Sequence, residues 1–366
     1  MNRIVHCDDP QFEVYWTKFL GQNQQASVFY TLNWLRYQRY YSADRLVADL
    51  SFALIAPDDT VLSICPLYLE DYAGVLRFSY RGEFLESLRT PLIALDHQPK
   101  SGKAIETEVF GYIDRLARDK GVFKCTFLID PLCAIYEAEH FNRLTRHGYI
   151  DASISTQIID LRLPREQLWM DLRKSYKPLI NKAERTYEVI IMDHRNADFS
   201  LHEGYRQLHL KAAGRVTRPI STFNTQFEML KADQAMLIGI KFNGRFVSIS
   251  YFQHFHRSAY YASETDDPDV QVPVTYGPLT QWRAMLYYKE RAFDYIELDN
   301  QQFGPQLFDD PSDKELSISM FKRGFGGRTL PLFRGVKYYN CELLRKEVNE
   351  NGERLIQRLC HVESET

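Results

Sequence analysis

Apolar and polar positions follow one another in an order that occurs twice along the chain. In the first pass, Ser51-Phe52-Ala53-Leu54-Ile55-Ala56 enters the turn Pro57-Asp58-Asp59 and leaves through Val61-Leu62-Ser63-Ile64-Cys65-Pro66-Leu67, the pattern of a hairpin. A helical stretch follows from about Gly102 to Lys120, broken by Gly121, and an apolar strand runs from Phe123 to Ile129. In the second pass, Met236 to Phe242 and Phe246 to Phe252 flank Asn243-Gly244, a turn pair in which both residues tolerate positive φ. The strand Ala259-Tyr260-Tyr261-Ala262-Ser263, a helix from about Gly277 to Arg291 and a strand from Phe293 to Leu298 complete it.

Hairpin, helix and returning strand make a layered unit, and its recurrence predicts a mixed α+β chain of two similar α/β halves, each a mostly antiparallel sheet flanked by helices. One larger mixed sheet is the rival reading. The boundaries expected are 1–150 for the first half, 151–340 for the second half with the candidate site, and 341–366 for a C-terminal amphipathic helix. Between the halves, the helical spacing from Leu168 to Arg185 is interrupted by Pro178, which fits only the first turn of a helix, so two short helices are expected.

Composition adds limits. Over 366 residues, 45% are apolar and 25% charged, an ordinary globular balance. A net charge of −3 argues against a surface given over to nucleic acid, and no DNA partner is expected, although a local basic patch is compatible with it. Acids at Asp8 and Asp9 interrupt the start where a secretory signal would be apolar, and no stretch is apolar for long enough to span a bilayer; a cytoplasmic protein is expected. The six cysteines have no metal-ligand spacing and read as reduced thiols.

Ser312-Asp313-Lys314-Glu315 fits a capping box, and a short helix from it would end at Gly324 with Lys322 and Arg323 in its last turn. Two cations there complement the helix dipole, which is a purely structural role. Gly324, Gly326 and Gly327 around Phe325 also allow close backbone approach to a ligand.

Phe321-Lys322-x-Gly-Phe-Gly-Gly, together with Asn181-Lys182-Ala183-Glu184-Arg185 before Val189-Ile190-Ile191, resembles the FemAB and FemX-like proteins, which are tandem GNAT-fold transferases. The likeness runs from about Ser27 onward. It implies two tandem GNAT-like domains and transfer of an aminoacyl group from aminoacyl-tRNA to an amine of a peptidoglycan precursor. Relatives grouped near this family act as acetyltransferases of polysaccharide biosynthesis. Matched by position, Phe321 would shape the pocket and Lys322 would stabilise the charge that develops on the carbonyl oxygen of the reacting ester, a role in which a fixed ammonium in a dry cleft can supply several kcal/mol.

Other candidates are less specific. Arg173, Lys174, Lys177, Lys182 and Arg185 form either a solvated face or a phosphate-binding face for tRNA or a nucleotide- or lipid-linked glycan precursor. The family often has an arginine where Lys177-Pro178 stands. Arg215 and Arg218 sit in a loop suited to phosphate or carboxylate, or simply to water. Glu264 and Asp266, after the strand bearing Tyr261, could take the proton shed by an attacking amine; an ordinary turn at Asp266-Asp267-Pro268 is the plainer alternative. Gln301, Gln302 and Arg323 could bind acceptor sugar or amide groups. His202-Glu203 lacks a zinc partner because Arg206 occupies the fourth following position, and His254 and His256 alternate without a third ligand. Where an acyl-CoA-using GNAT protein carries a glycine-rich pyrophosphate loop, this chain has Val272-Pro273-Val274-Thr275-Tyr276-Gly277-Pro278, and proline has no N–H for a phosphate. The expectation is therefore no tightly bound cofactor and no metal, with aminoacyl-tRNA as donor co-substrate and acyl-CoA, or a catalytically silent binding protein, as alternatives.

Overall fold

The computed structural model describes residues 2–80, 87–94, 99–135 and 141–360. Two compact units are present, and neither is a continuous piece of chain: one comprises 1–155, 302–316 and 331–366, the other 156–301 and 317–330. Residues 331–340, expected in the second half, belong to the first unit because Arg334–Tyr338 is hydrogen-bonded antiparallel to Lys124–Leu128 and to Ile150–Asp151. The C-terminal helix, Cys341–Cys360, joins the same unit.

The first unit holds two sheets. One is four-stranded in the order Arg3–His6, Phe52–Ile55, Val61–Cys65, Leu92–Ile93. The other runs Ile150–Asp151, Arg334–Tyr338, Lys124–Leu128, Val75–Phe78, Tyr68–Tyr72, Leu46–Asp49, with Leu88–Arg89 also beside Lys124–Leu128. The hairpin expected over 51–67 forms, but the returning strand does not pair with it. Lys124–Leu128 instead lies parallel to Val75–Phe78, the second arm of a hairpin that turns at Ala73 (φ 54°) and Gly74 (φ 84°). The helix Pro99–Asp119 connects the two parallel strands.

The second unit has one seven-stranded sheet in the order Glu188–Met192, Ala235–Phe242, Arg245–Phe255, Ser258–Asp266, Tyr295–Gln301, Ile154–Asp160, Arg328–Leu332. Asn243 and Gly244 make its tightest turn, at φ 52° and 78°. Met236, Ile238 and Ile240 point to one face by the two-residue strand period and pack with Leu279, Trp282 and Met285 of the helix Gly277–Glu290. That helix is buried nearly all round. As in the first unit, a helix connects two parallel strands. Ser258–Tyr260 pairs with Tyr295–Glu297, and beyond those three pairs Tyr261–Asp266 and Leu298–Gln301 part, opening the sheet.

The midchain segment forms two helices, Arg165–Asp171 and Tyr176–Thr186, with Pro178 in the first turn of the second, where its missing N–H would have had no partner. Ser312 and Glu315 form the capping box of the helix Asp313–Arg323: the Ser312 N–H donates to Glu315 Oε2 at 2.7 Å and the Glu315 N–H to Ser312 Oγ at 3.3 Å. Among the described residues no helix is long and apolar enough to cross a membrane.

Candidate active site

The site builds outward from the turn that ends Asp313–Arg323. Gly324 N donates to Phe321 O at 2.9 Å and Phe325 N to Lys322 O at 3.2 Å, so the chain reverses within one turn. Phe325 is buried at its centre, 5.1 Å from both Phe321 and Tyr176 between ring centroids. The glycines serve this packing. A side chain on Gly324 would collide with the Tyr176 ring, one on Gly326 (φ 81°) would stand 2.8 Å from Asp171 Cβ, and one on Gly327 (φ 76°) would strike Ile158 O. The close approach expected toward a ligand is thus made to the protein itself. Phe321 also closes over Gly277 at the start of its helix, where a Cβ would lie 3.1 Å from the ring.

Lys322 is only 6% exposed, and its ammonium donates to Asp299 Oδ2 at 3.0 Å. Asp299 stands in the strand Tyr295–Gln301 at φ 68°, an αL conformation that turns its half-exposed carboxylate out of the regular strand alternation. Across the opened sheet, Glu264 on Ser258–Asp266 is partly buried and accepts from the Tyr261 hydroxyl at 3.1 Å. Burial, then the charge of exposed Asp266, raises the Glu264 carboxyl from 4.5 to about 7, against the pull of the Tyr261 hydrogen bond. Tyr261 is raised well above its ordinary value by burial and then by Glu264, with Asp299 and Asp266 contributing. Tyr276 is raised by burial, Asp266 and Glu264. One phenol therefore senses the carboxylates of both parted strands, which ties Glu264 and Asp266 to Asp299 and, through it, to Lys322.

The other candidates divide. Arg173 is committed to the turn: its N–H donates to Gly324 O and its guanidinium to Met320 O, each at 2.8 Å, capping the helix C-terminus. Lys177 donates to Met170 O at 3.1 Å, while Lys174 and Lys182 are exposed. Arg215 is exposed in its loop, but Arg218 folds back, donating to Tyr205 Oη at 3.2 Å and Gln226 Oε1 at 3.0 Å above the Phe223 ring. Gln301 is buried and accepts from Arg323 at 3.1 Å. Gln302 belongs to the first unit, where its amide donates to both oxygens of Asp309 at 2.9 and 3.0 Å. It is a structural residue, and so are Arg173 and Arg218 as they stand. Asp267 anchors Lys211 and Arg245. His254 is buried against Tyr288 and Asp233, and the alternation with His256 ends because His256 takes φ 50° in the turn after Phe255.

Asp299 and Tyr276 escaped the sequence reading. An aspartate at a strand end signals a turn, and nothing local to Tyr276 shows that it faces Asp266. In the loop before Gly277–Glu290, the Val274 N–H donates to Tyr187 Oη at 3.3 Å and Val274 O accepts from the same hydroxyl. Pro278 occupies the first turn of that helix.

No family model matches the chain, and no curated protein does. Among solved structures, it is similar to FemX at 12% identity, covering 94% of this chain and 99% of that one with a TM-score of 0.59. A lysine-type relative in fold is L-PGS from Bacillus licheniformis, at 11% identity, 96% and 97% coverage and a TM-score of 0.55. A tandem GNAT protein from the clavulanic acid biosynthesis pathway aligns at 13% identity, 92% and 98% coverage and a TM-score of 0.51. The chain has the FemX-like tandem GNAT fold.

Proposed function

We propose that the second unit is an acyl or aminoacyl transferase that takes its group from aminoacyl-tRNA and forms an amide on an amine of a cell-envelope or nucleotide- or lipid-linked glycan precursor. The observation that carries this reading is the pairing, across the opened sheet, of a carboxyl held near 7 at Glu264 with a buried ammonium at Lys322. Aminolysis needs both. The amine nitrogen attacks the ester carbonyl carbon, and the carbonyl oxygen takes up the electron pair as an oxyanion. An ammonium has three N–H donors and Asp299 engages one, so Lys322 can donate to that oxyanion while staying fixed. Glu264 as carboxylate takes the proton that the amine sheds. As the tetrahedral centre collapses, the bond to the tRNA ribose oxygen breaks, and Glu264 returns the proton to that leaving oxygen.

Aminoacyl-tRNA is favoured over acyl-CoA by the loop before Gly277–Glu290: the Val274 amide is engaged by Tyr187, and Pro278 offers no N–H, so a pyrophosphate would find few backbone donors. Exposed Lys174, Lys182 and Arg215 suit the RNA backbone. The resemblance to the FemAB and FemX-like transferases supports the same donor, and the absence of a membrane-crossing helix among the described residues accords with a cytoplasmic site of action. The test is to incubate the full chain with amine acceptors and either aminoacyl-tRNA or an acyl-CoA panel, and to identify products by mass spectrometry. An amide formed only from aminoacyl-tRNA is expected. Turnover with acyl-CoA alone, accompanied by saturable micromolar CoA binding, would replace this reading with an acyl-CoA-dependent N-acyltransferase.

A further inference from the structure

The first unit contains a cavity of about 460 Å³ between one face of its larger sheet and the C-terminal helix Cys341–Cys360. Its lining is unusual for such an interface. A sheet covered by a helix ordinarily presents apolar side chains to it. Here three adjacent strands present Arg77 and Ser79, Lys124 and Thr126, and Arg334 and Val336 on the same face by the two-residue period. The helix answers with Lys346, Glu347, Glu350 and Arg354, spaced so that they lie on one side. Five cations line the cavity against two carboxylates, an excess of three positive charges.

Several of these cations are out of water. Arg77 is 8% exposed and Arg334 is 3% exposed, and burial lowers the Arg334 pKa from arginine's ordinary value. Arg334 spends donors on Phe308 O at 2.7 Å and Ala152 O at 2.9 Å, both carbonyls. Glu347 is the carboxylate that meets the other two, 2.5 Å from Lys124 Nζ and 3.6 Å from Arg77, with the Tyr338 hydroxyl donating to it at 2.6 Å. Tyr72, Tyr80 and Phe308 add ring surface to the wall. Buried guanidinium groups that outnumber their carboxylates, in a space of the size small ligands fill, are the chemistry of an anion site.

We propose that this cavity binds a small molecule bearing a phosphate or carboxylate group, anchored by Arg77, Lys124 and Arg334, with Glu347 as a built-in competitor for the first two. The site is independent of the transferase reading and is tested without turnover. Calorimetry on the full chain would use inorganic pyrophosphate and citrate as separate probes, so that the preferred probe tells a phosphate ligand from a carboxylate ligand. Glu347→Gln is expected to bind the preferred probe about tenfold more tightly than wild type, because the competing charge is gone, and Arg77→Gln about tenfold more weakly. Binding should weaken with added salt and should be unchanged by Lys322→Ala. Lys124→Gln serves in place of Arg77→Gln if the latter fails to fold. A purely structural Glu347 would shift the melting temperature and leave affinity alone. Equal affinities in wild type, Glu347→Gln and the arginine or lysine variant, or no saturable heat from either probe with Glu347→Gln, would overturn the proposal.

Discussion

The two units share a device and charge it oppositely. In each, a hairpin strand and a returning strand lie parallel across a connecting helix: Val75–Phe78 beside Lys124–Leu128 in one, Ser258–Asp266 beside Tyr295–Gln301 in the other. In the second unit the parted strands carry Glu264, Asp266 and Asp299, with Lys322 brought in from a separate helix. In the first, the corresponding strands place Arg77 and Lys124 directly in register, and the balancing carboxylate, Glu347, comes from elsewhere. The frame therefore does not determine the chemistry. Clustered carboxylates raise one another's pKa and prepare a proton acceptor, whereas clustered buried cations prepare a site for an anion.

The largest expected effect that separates the two is at Glu264. Glu264→Gln should lower the transfer rate by about 10²–10³-fold and leave anion binding in the first unit untouched, as steady-state kinetics and calorimetry would read. Its pH signature is specific. Because the folded carboxyl is raised from 4.5 to about 7, the folded protein keeps a proton that the unfolded chain releases, so the residue costs stability as pH rises through that window. Glu264→Gln should consequently match wild type in urea unfolding near pH 4 and exceed it at pH 8. A variant equally stable at both pH values relative to wild type would show that the carboxyl is not strained.

The turns of the two units sharpen the comparison next. Gly327→Ala should cost about 2–3 kcal/mol in chemical denaturation, since the added carbon meets Ile158 O as well as a positive φ. Gly74→Ala, at φ 84° with open space around it, should cost only about 1 kcal/mol. Equal losses would mean that the Gly327 contact is readily relaxed. The smallest effect concerns the exposed basic face: Lys182→Glu should raise KM for aminoacyl-tRNA about threefold at low salt with kcat unchanged, and the difference should fade as salt is added.

What could be read from the sequence follows the range of each signal. The capping box at Ser312 and Glu315, the turn at Asn243-Gly244 and the break imposed by Pro178 are local, and all three form as expected. The hairpin Tyr68–Phe78 went unread because Ala73 holds a positive φ that alanine does not advertise. The return of Arg334–Tyr338 to the first unit has no local signature at all, since it depends on which sheet edge is free. At the site, Lys322, Glu264 and Tyr261 were legible as residue types in suitable places. Asp299 was not, because its role depends on a backbone twist and a lysine far along the chain. Arg173 and Lys177 resemble a solvated basic face, and only the structure reveals that backbone carbonyls are their partners.

Single-turnover transfer from aminoacyl-tRNA to an acceptor amine, measured with wild type and Lys322→Ala under saturating acceptor, bears most directly on the second unit as a transferase. Loss of a fixed donor to the oxyanion predicts a rate lower by about 10²–10³-fold, with donor binding little changed. A Lys322→Ala protein that transfers at the wild-type rate would contradict the account.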